Sequence, residues 1–145
     1  MPFYKKEKTL PFSCEELYGL VLDVGQYPQF LPGVLKAHVY NVGVAAFDAD
    51  LTVGSPLFSI TYTSCVTPTH PISIESICTK GPLNLKSLWT FAKIPNSSTT
   101  EVCFQVDFSF HNPILQKMIE KTFSSLVENM MNAFEKRAYA LYKFT

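Results

Sequence analysis

The last third of the chain most constrains its fold. Val102, Phe104, Val106, Phe108 and Phe110 recur at every second position, the signature of a half-buried strand. The run then passes through His111-Asn112-Pro113 into a long amphipathic helix. Asn112 suits the cap of that helix, and Pro113 its first position, where a missing amide costs nothing. Leu115, Ile119, Phe123, Leu126, Val127, Met130, Phe134, Ala138 and Leu141 recur every three or four residues. The helix is therefore expected to run uninterrupted to about Tyr142, a rod of about 45 Å. An apolar face so wide needs a curved sheet to cover it, and volume the sheet leaves unfilled becomes a cavity.

The preceding residues supply that sheet. Phe3 to Leu10 reads as a first strand. Ser13-Cys14-Glu15-Glu16 is a capping box, with Phe12 and Leu17 as a hydrophobic staple, so a helix is expected from about Cys14 to Leu22. Gly25, Pro28, Pro32 and Gly33 then break regularity, leaving one short helical turn that carries Tyr27, Phe30 and Leu31. Strands follow at Leu35 to Val42, Val44 to Val53, Leu57 to Pro68, Ile72 to Thr79, Leu85 to Ile94 and Thr100 to Phe110. Turn signals such as Gly54-Ser55-Pro56, Thr69-His70-Pro71 and Lys80-Gly81-Pro82 separate them. The expected class is α+β: a helix-grip fold, with a seven-stranded curved antiparallel sheet around a long C-terminal helix and two short helices after the first strand.

Parity places Ala45, Phe47, Ala49, Leu51, Val53, Phe58, Ile60, Tyr62, Val66, Ile72, Ile74, Trp89 and Phe91 on the inner face. It places Asp48, Asp50, Thr61, Thr63, Glu75, Lys86, Gln105 and Asp107 on the outer one.

Composition narrows the function. A chain of 145 residues fits one domain with a single core, burying ~70% of its unfolded surface. Twelve Lys and Arg balance twelve Asp and Glu, so no basic field supports a free-standing DNA or RNA binder. Aromatics at 14% and charges at 17% make the chain apolar enough to spare surface for a ligand. Cys14, Cys65, Cys78 and Cys103 lie far apart with no CxxC, which suggests neither a zinc site nor a disulfide framework. Without a signal or transit pattern at the N-terminus, or an uncharged run of about 18 residues, the expectation is a soluble cytoplasmic protein, at most peripheral to a membrane.

Signals of catalysis are few. Asp48 and Asp50 share the outward face, where solvent would flood a carboxylate pair. His38, His70 and His111 are dispersed and lack a nucleophile setting, and no glycine loop is built to cradle a phosphate.

Four segments carry a family resemblance: Tyr27-Pro28-Gln29-Phe30-Leu31-Pro32; Ala49-Asp50-Leu51-Thr52-Val53-Gly54; Gly81-Pro82-Leu83 with Trp89-Thr90-Phe91; and Phe108-Ser109-Phe110-His111-Asn112-Pro113. In order and spacing they resemble the coenzyme-Q-binding START-like proteins of the polyketide cyclase/dehydrase and lipid transport superfamily. That group is also similar to the bacterial ribosome-association toxin family. The resemblance implies a non-catalytic carrier that needs no cofactor and holds ubiquinone, another polyprenyl quinone or another lipid in support of respiratory electron transport. A ribosome-associated factor is the alternative, and a small-molecule cyclase the third reading. The partners implied are an isoprenoid quinone, the surface of the inner membrane and, on the alternative, the ribosome, with no DNA.

Residue chemistry points the same way. Burying a methylene is worth roughly 0.8 kcal/mol, so an isoprenoid tail can be held by apolar surface alone. A quinone head offers only acceptors, which Tyr62, the Trp89 indole or a hydroxyl near the mouth could meet. Ligand contacts are expected from Leu51, Val53, Phe58, Ile60, Tyr62, Ile74, Trp89, Phe91, Phe104, Phe108, Phe123, Met130 and Phe134. The cavity mouth is expected at Tyr27, Pro28, Phe30, Leu31 and Pro32.

Plainer roles compete. Leu115, Leu126 and Leu141 read as core, Met130 as core or cavity wall, Trp89 as a packing residue, and Tyr27 to Pro32 as a rigid plug or a gate. Lys117, Lys121, Lys136, Arg137 and Lys143 read as the helix's solvated face, with anionic lipid the other use for a few of them.

Overall fold

A computed structural model describes residues 3–142. The elements are β1 (Phe3–Leu10), α1 (Cys14–Leu22), a 3₁₀ helix (Val24–Gln29), β2 (Val34–Tyr40), β3 (Phe47–Ser55), β4 (Phe58–Thr69), β5 (Ser73–Lys80), β6 (Leu83–Lys93), β7 (Thr100–Phe110), α2 (Pro113–Glu120) and α3 (Phe123–Tyr142). Seven strands form one antiparallel sheet in the order β1-β7-β6-β5-β4-β3-β2. Strands β2 to β7 follow as a meander; α1 and the 3₁₀ helix carry the chain from one edge of the sheet to the other.

Local chemistry sets the ends of the elements. The Ser13 hydroxyl accepts the Glu16 amide at 3.1 Å, and Glu16 Oε1 accepts the Ser13 amide at 3.0 Å, completing the capping box of α1. Asn112 Oδ1 accepts the amides of Ile114 and Leu115 at 2.9 and 3.2 Å, starting α2. At the β3–β4 turn Gly54 has φ +129°, and a Cβ there would meet the Phe58 carbonyl oxygen at 2.3 Å. Only glycine lets this turn close, and its amide then donates to the Gly33 carbonyl at 2.8 Å, tying the loop before β2 to the hairpin tip.

The expected continuous rod is two helices. α2 stops at Glu120; Thr122 donates both its amide, at 3.0 Å, and its hydroxyl, at 3.4 Å, to the Ile119 carbonyl, tightening the turn before α3 restarts. A β-branched side chain competing for a helix carbonyl is the physical reason, and a count of apolar positions does not register it. The buried stripe of α3 is Val127, Met131, Phe134 and Ala138. Leu126, expected in the core, is 50% exposed, and Leu115 and Leu141 are only half-buried.

Three inner-face assignments also change. Ala45 precedes β3 and is exposed, and Ile72 precedes β5 and is 58% exposed. Phe58 keeps the inner parity but sits at the hairpin tip, 60% exposed. The second short helix is a 3₁₀ turn that includes Tyr27, with Phe30 and Leu31 just beyond its end. Lys143 lies outside the described residues.

Leu17, Leu20 and Val21 of α1 and the buried stripe of α3 cover Trp89, Phe91, Val102, Phe104 and Val106. On the edge strand β1, the register aligns Lys6 and Lys8 with the inner residues Phe104 and Val102. Lys8 Nζ reaches Asn132 Oδ1 and Glu135 Oε1, each at 2.6 Å, and so clamps α3. Inward lysines also deter pairing of this edge with another strand.

Candidate functional site

The inner face divides into a filled half and an open half. Over β6 and β7 the helix packs directly: Phe134 lies 5.1 Å from Trp89, Trp89 4.7 Å from Phe104, and Phe123 stacks on Phe108 at 4.0 Å. The space enclosed by Leu17, Leu20, Trp89, Val102, Met131 and Phe134 is about 20 Å³, room for one water at most. The cavity expected between helix and sheet is absent from this half, because large aromatic rings from both layers fill it.

Over β3 and β4 the inner residues remain partly accessible. The register pairs Leu51 with Tyr62 and Val53 with Ile60, four side chains of inner parity that are neither sealed nor fully exposed. Phe123 and Met130 of α3 are likewise half-buried. Val34, Tyr27, Phe30 and Leu85 flank the core without being sealed into it. The ring contacts of α3 with the sheet fall on β1, β6 and β7, and the inner side chains of β3 and β4 form a half-buried, largely apolar face.

The structure thus sorts the expected ligand contacts. Leu51, Val53, Ile60 and Tyr62 lie half-buried on the β3–β4 face, Met130 is half-buried on α3, Phe123 is stacked on Phe108 in the filled half, and Phe58 is exposed at the hairpin tip. Ile74, Trp89, Phe91, Phe104, Phe108 and Phe134 are buried core. The two methionines divide: Met131 is sealed into the core, and Met130 remains half-open.

The expected mouth residues form a wall instead. The Tyr27 hydroxyl donates to the Val21 carbonyl, and its ring meets Phe134 edge-on at 5.5 Å. Phe30 meets Phe134 edge-on at 5.3 Å, with the Arg137 guanidinium 5.1 Å from its ring centre. Leu31 is buried and Pro28 half-buried; only exposed Pro32 stands at the rim, beside the Gly33–Gly54 bond. Arg137, expected on the solvated face, is therefore part of this wall. Its spacing from Phe30 crosses elements, which no local pattern reveals.

Tyr62 is the one polar side chain among the four inner residues Leu51, Val53, Ile60 and Tyr62. Its hydroxyl has no hydrogen-bond partner among the described residues, and burial, with Cys78 nearby, pushes the phenol up to about 12. Gly81 sets its position: at φ +146°, a Cβ there would lie 2.7 Å from the Tyr62 Cβ, so the β5–β6 turn closes on the tyrosine only because residue 81 has no side chain. The neighbouring Tyr27 phenol is raised as well, by burial first and then by Tyr62 and Asp23. The Cys78 thiol donates to the Leu83 carbonyl at 3.3 Å.

Raised tyrosine values carry a sign. The neutral phenol is favoured in the folded state, so this stabilisation is complete below about pH 10 and is lost as pH rises through about 12. In a tyrosinate absorbance titration Tyr62 and Tyr27 should therefore resist ionisation until the chain unfolds. A Tyr62→Phe variant that loses absorbance amplitude below about pH 10 would contradict this placement.

Elsewhere the polar groups are structural. Asp50 accepts from the Thr63 hydroxyl at 2.6 Å and the Tyr40 hydroxyl at 2.9 Å, which holds its carboxyl below the usual range. Asp48 accepts from Asn41 at 2.9 Å, and His38 stacks on Tyr40. A larger, open depression of about 1070 Å³ at the opposite end of the sheet is lined by polar residues such as Ser13, Glu16 and Ser97 together with the apolar Phe12, Ile72 and Phe91. Among the described residues no cluster of three His, Cys, Asp or Glu side chains is placed to hold a metal ion, and no helix is long and apolar enough to cross a membrane.

A family model described as polyketide cyclase / dehydrase and lipid transport matches residues 10–135. The ribosome association toxin RatA of Rickettsia prowazekii is 33% identical over 145 residues, covering 97% of this chain and 98% of its own. The mitochondrial coenzyme Q-binding protein COQ10 of Drosophila melanogaster is 33% identical over 138 residues. That match covers 91% of this chain but 56% of COQ10, so the chain spans little more than half of that relative. The crystal structure of Zhui aromatase/cyclase from Streptomyces sp. R1128 superposes with a TM-score of 0.82, covering 94% of this chain and 93% of its own at 15% identity, a likeness of fold alone.

Proposed function

The chain belongs to the polyketide cyclase / dehydrase and lipid transport family, and from that premise we propose that it is a non-catalytic carrier of a polyprenyl quinone or a lipid of similar form. The observation that carries this reading is the half-buried apolar inner face of β3 and β4, which we read as the wall of a lipid groove, with one phenol in it that has no hydrogen-bond partner among the described residues. A prenyl tail gains from burial against Leu51, Val53 and Ile60, while a quinone carbonyl accepts the Tyr62 proton. The name of the COQ10 relative points to the same ligand class.

A cyclase reading is weaker, because the groove's titratable groups are phenols held neutral by burial and a thiol bonded to a carbonyl, none of them poised as a general base near pH 7. The name of the RatA relative, 33% identical over 97% of this chain, points instead to the ribosome-associated alternative. The balanced charge of the chain argues against a surface built for RNA.

Titration with a ubiquinone bearing a two-unit prenyl tail, followed by quenching of Trp89, the single tryptophan, tests the proposal. Saturable quenching is expected, weakened about fivefold in Tyr62→Phe for a lost hydrogen bond worth about 1 kcal/mol. Binding should be flat from about pH 5 to 9, since the Tyr62 donor stays protonated there. Quenching that never saturates would overturn the proposal.

A further inference from the structure

We infer that the end of the molecule where the groove opens is a docking face for an anionic bilayer, made by the tip of the β3–β4 hairpin and the outer face of α2. This inference rests on the carrier reading and names the surface against which the groove would exchange its lipid. The sheet register brings the two parts to one end. Phe110 pairs with Leu83, the His111 amide donates to the Pro82 carbonyl at 3.0 Å, and the adjoining Gly81 abuts Tyr62, four residues along β4 from the tip residue Phe58.

Large apolar side chains crowd this end without cover. Leu57 is 98% and Phe58 60% exposed at the tip; Ile114 is 73% and Met118 62% exposed on α2. No residue of α2 is buried, although the helix is well capped and amphipathic. Ile114 and Met118 lie one turn apart, and the exposed Lys117 and Lys121, also one turn apart, lie beside them on the helix surface. The helix's one carboxylate, Glu120, is engaged by Gln116 Nε2 at 2.8 Å. The break at Lys121 and Thr122 gives α2 a boundary of its own, distinct from the packed α3.

An apolar stripe edged by lysines is the arrangement that enters the boundary between headgroups and acyl chains, with the ammonium groups left at the phosphates. RNA would meet the lysines but leave Leu57, Phe58, Ile114 and Met118 against a charged surface. A bilayer satisfies both sets and receives the lipid where the groove ends.

Flotation with phosphatidylcholine vesicles, with and without about 30% phosphatidylglycerol, tests this face through the anionic-lipid attraction of basic residues. The full chain is expected to float with the anionic vesicles and to bind neutral ones at least about fivefold less. Lys117→Glu with Lys121→Glu, both exposed, should reduce anionic binding about tenfold or more. Ile114→Ser with Met118→Ser, both exposed on α2, should do the same through lost insertion. Each double variant should bind the short-chain ubiquinone in vesicle-free buffer as the parent does, which separates failure of this face from failure of the carrier reading. Absent or equal binding to the two vesicle types, variants that float like the parent, or variants that instead lose cosedimentation with ribosomes would each overturn the inference.

Discussion

Phe134→Ala should remove about 3–5 kcal/mol of folding stability, a large fraction of the ~5–15 kcal/mol that holds a domain together. Phe134 is 5% exposed, and its ring is touched by Tyr27, Phe30 and Trp89 at 5.1–5.5 Å. It therefore joins three parts of the fold: α3, the sheet, and the wall formed by the 3₁₀ helix and the residue after it. Truncation leaves a cavity that none of these can close without moving the others. In thermal unfolding followed by circular dichroism, the midpoint should fall by about 10 °C or more. A loss under about 1 kcal/mol would mean that the wall is not braced on α3.

Ile60→Glu should leave the fold nearly intact and abolish quinone binding, with affinity lower by at least about a hundredfold. Ile60 is half-buried on the inner face opposite Val53, so a carboxylate there can keep contact with water. A prenyl tail entering beside it would have to strip that water, which costs several kcal/mol for a charged group. The control is its neighbour Thr61, on the outer face, whose hydroxyl lies 2.9 Å from that of Thr52. Thr61→Glu should bind as the parent does, because successive strand residues face opposite ways. Equal effects at residues 60 and 61, read by short-chain ubiquinone titration, would refute the assigned face.

Local chemistry made much of this architecture legible in the sequence. Ser13 to Glu16 specified the start of α1, Asn112-Pro113 the start of α2, and the alternation from Val102 to Phe110 gave β7 with its bounds unchanged. Parity also identified Leu51, Val53, Ile60 and Tyr62 as inward-facing. What remained hidden depends on contacts between distant segments. Thr122 interrupts the rod through a bond to Ile119 rather than through any lapse in apolar spacing. Whether an inward residue is core or groove wall depends on where α3 crosses the sheet. Trp89 and Leu51 share a face, yet one lies beneath Phe134 and the other remains half-open. The wall role of Arg137 depends on Phe30, more than 100 residues away in the chain.

The proposed carrier holds its prenyl lipid against the half-open face over β3 and β4. The most direct test of this is organic extraction of the freshly purified protein followed by mass spectrometry, with the Ile60→Glu variant prepared in parallel. The parent should yield an isoprenoid quinone or a closely similar lipid in near-equal proportion to protein, and the variant almost none. An extract from the folded parent with no prenyl lipid above the variant's level, together with cosedimentation of the parent with ribosomes, would contradict it.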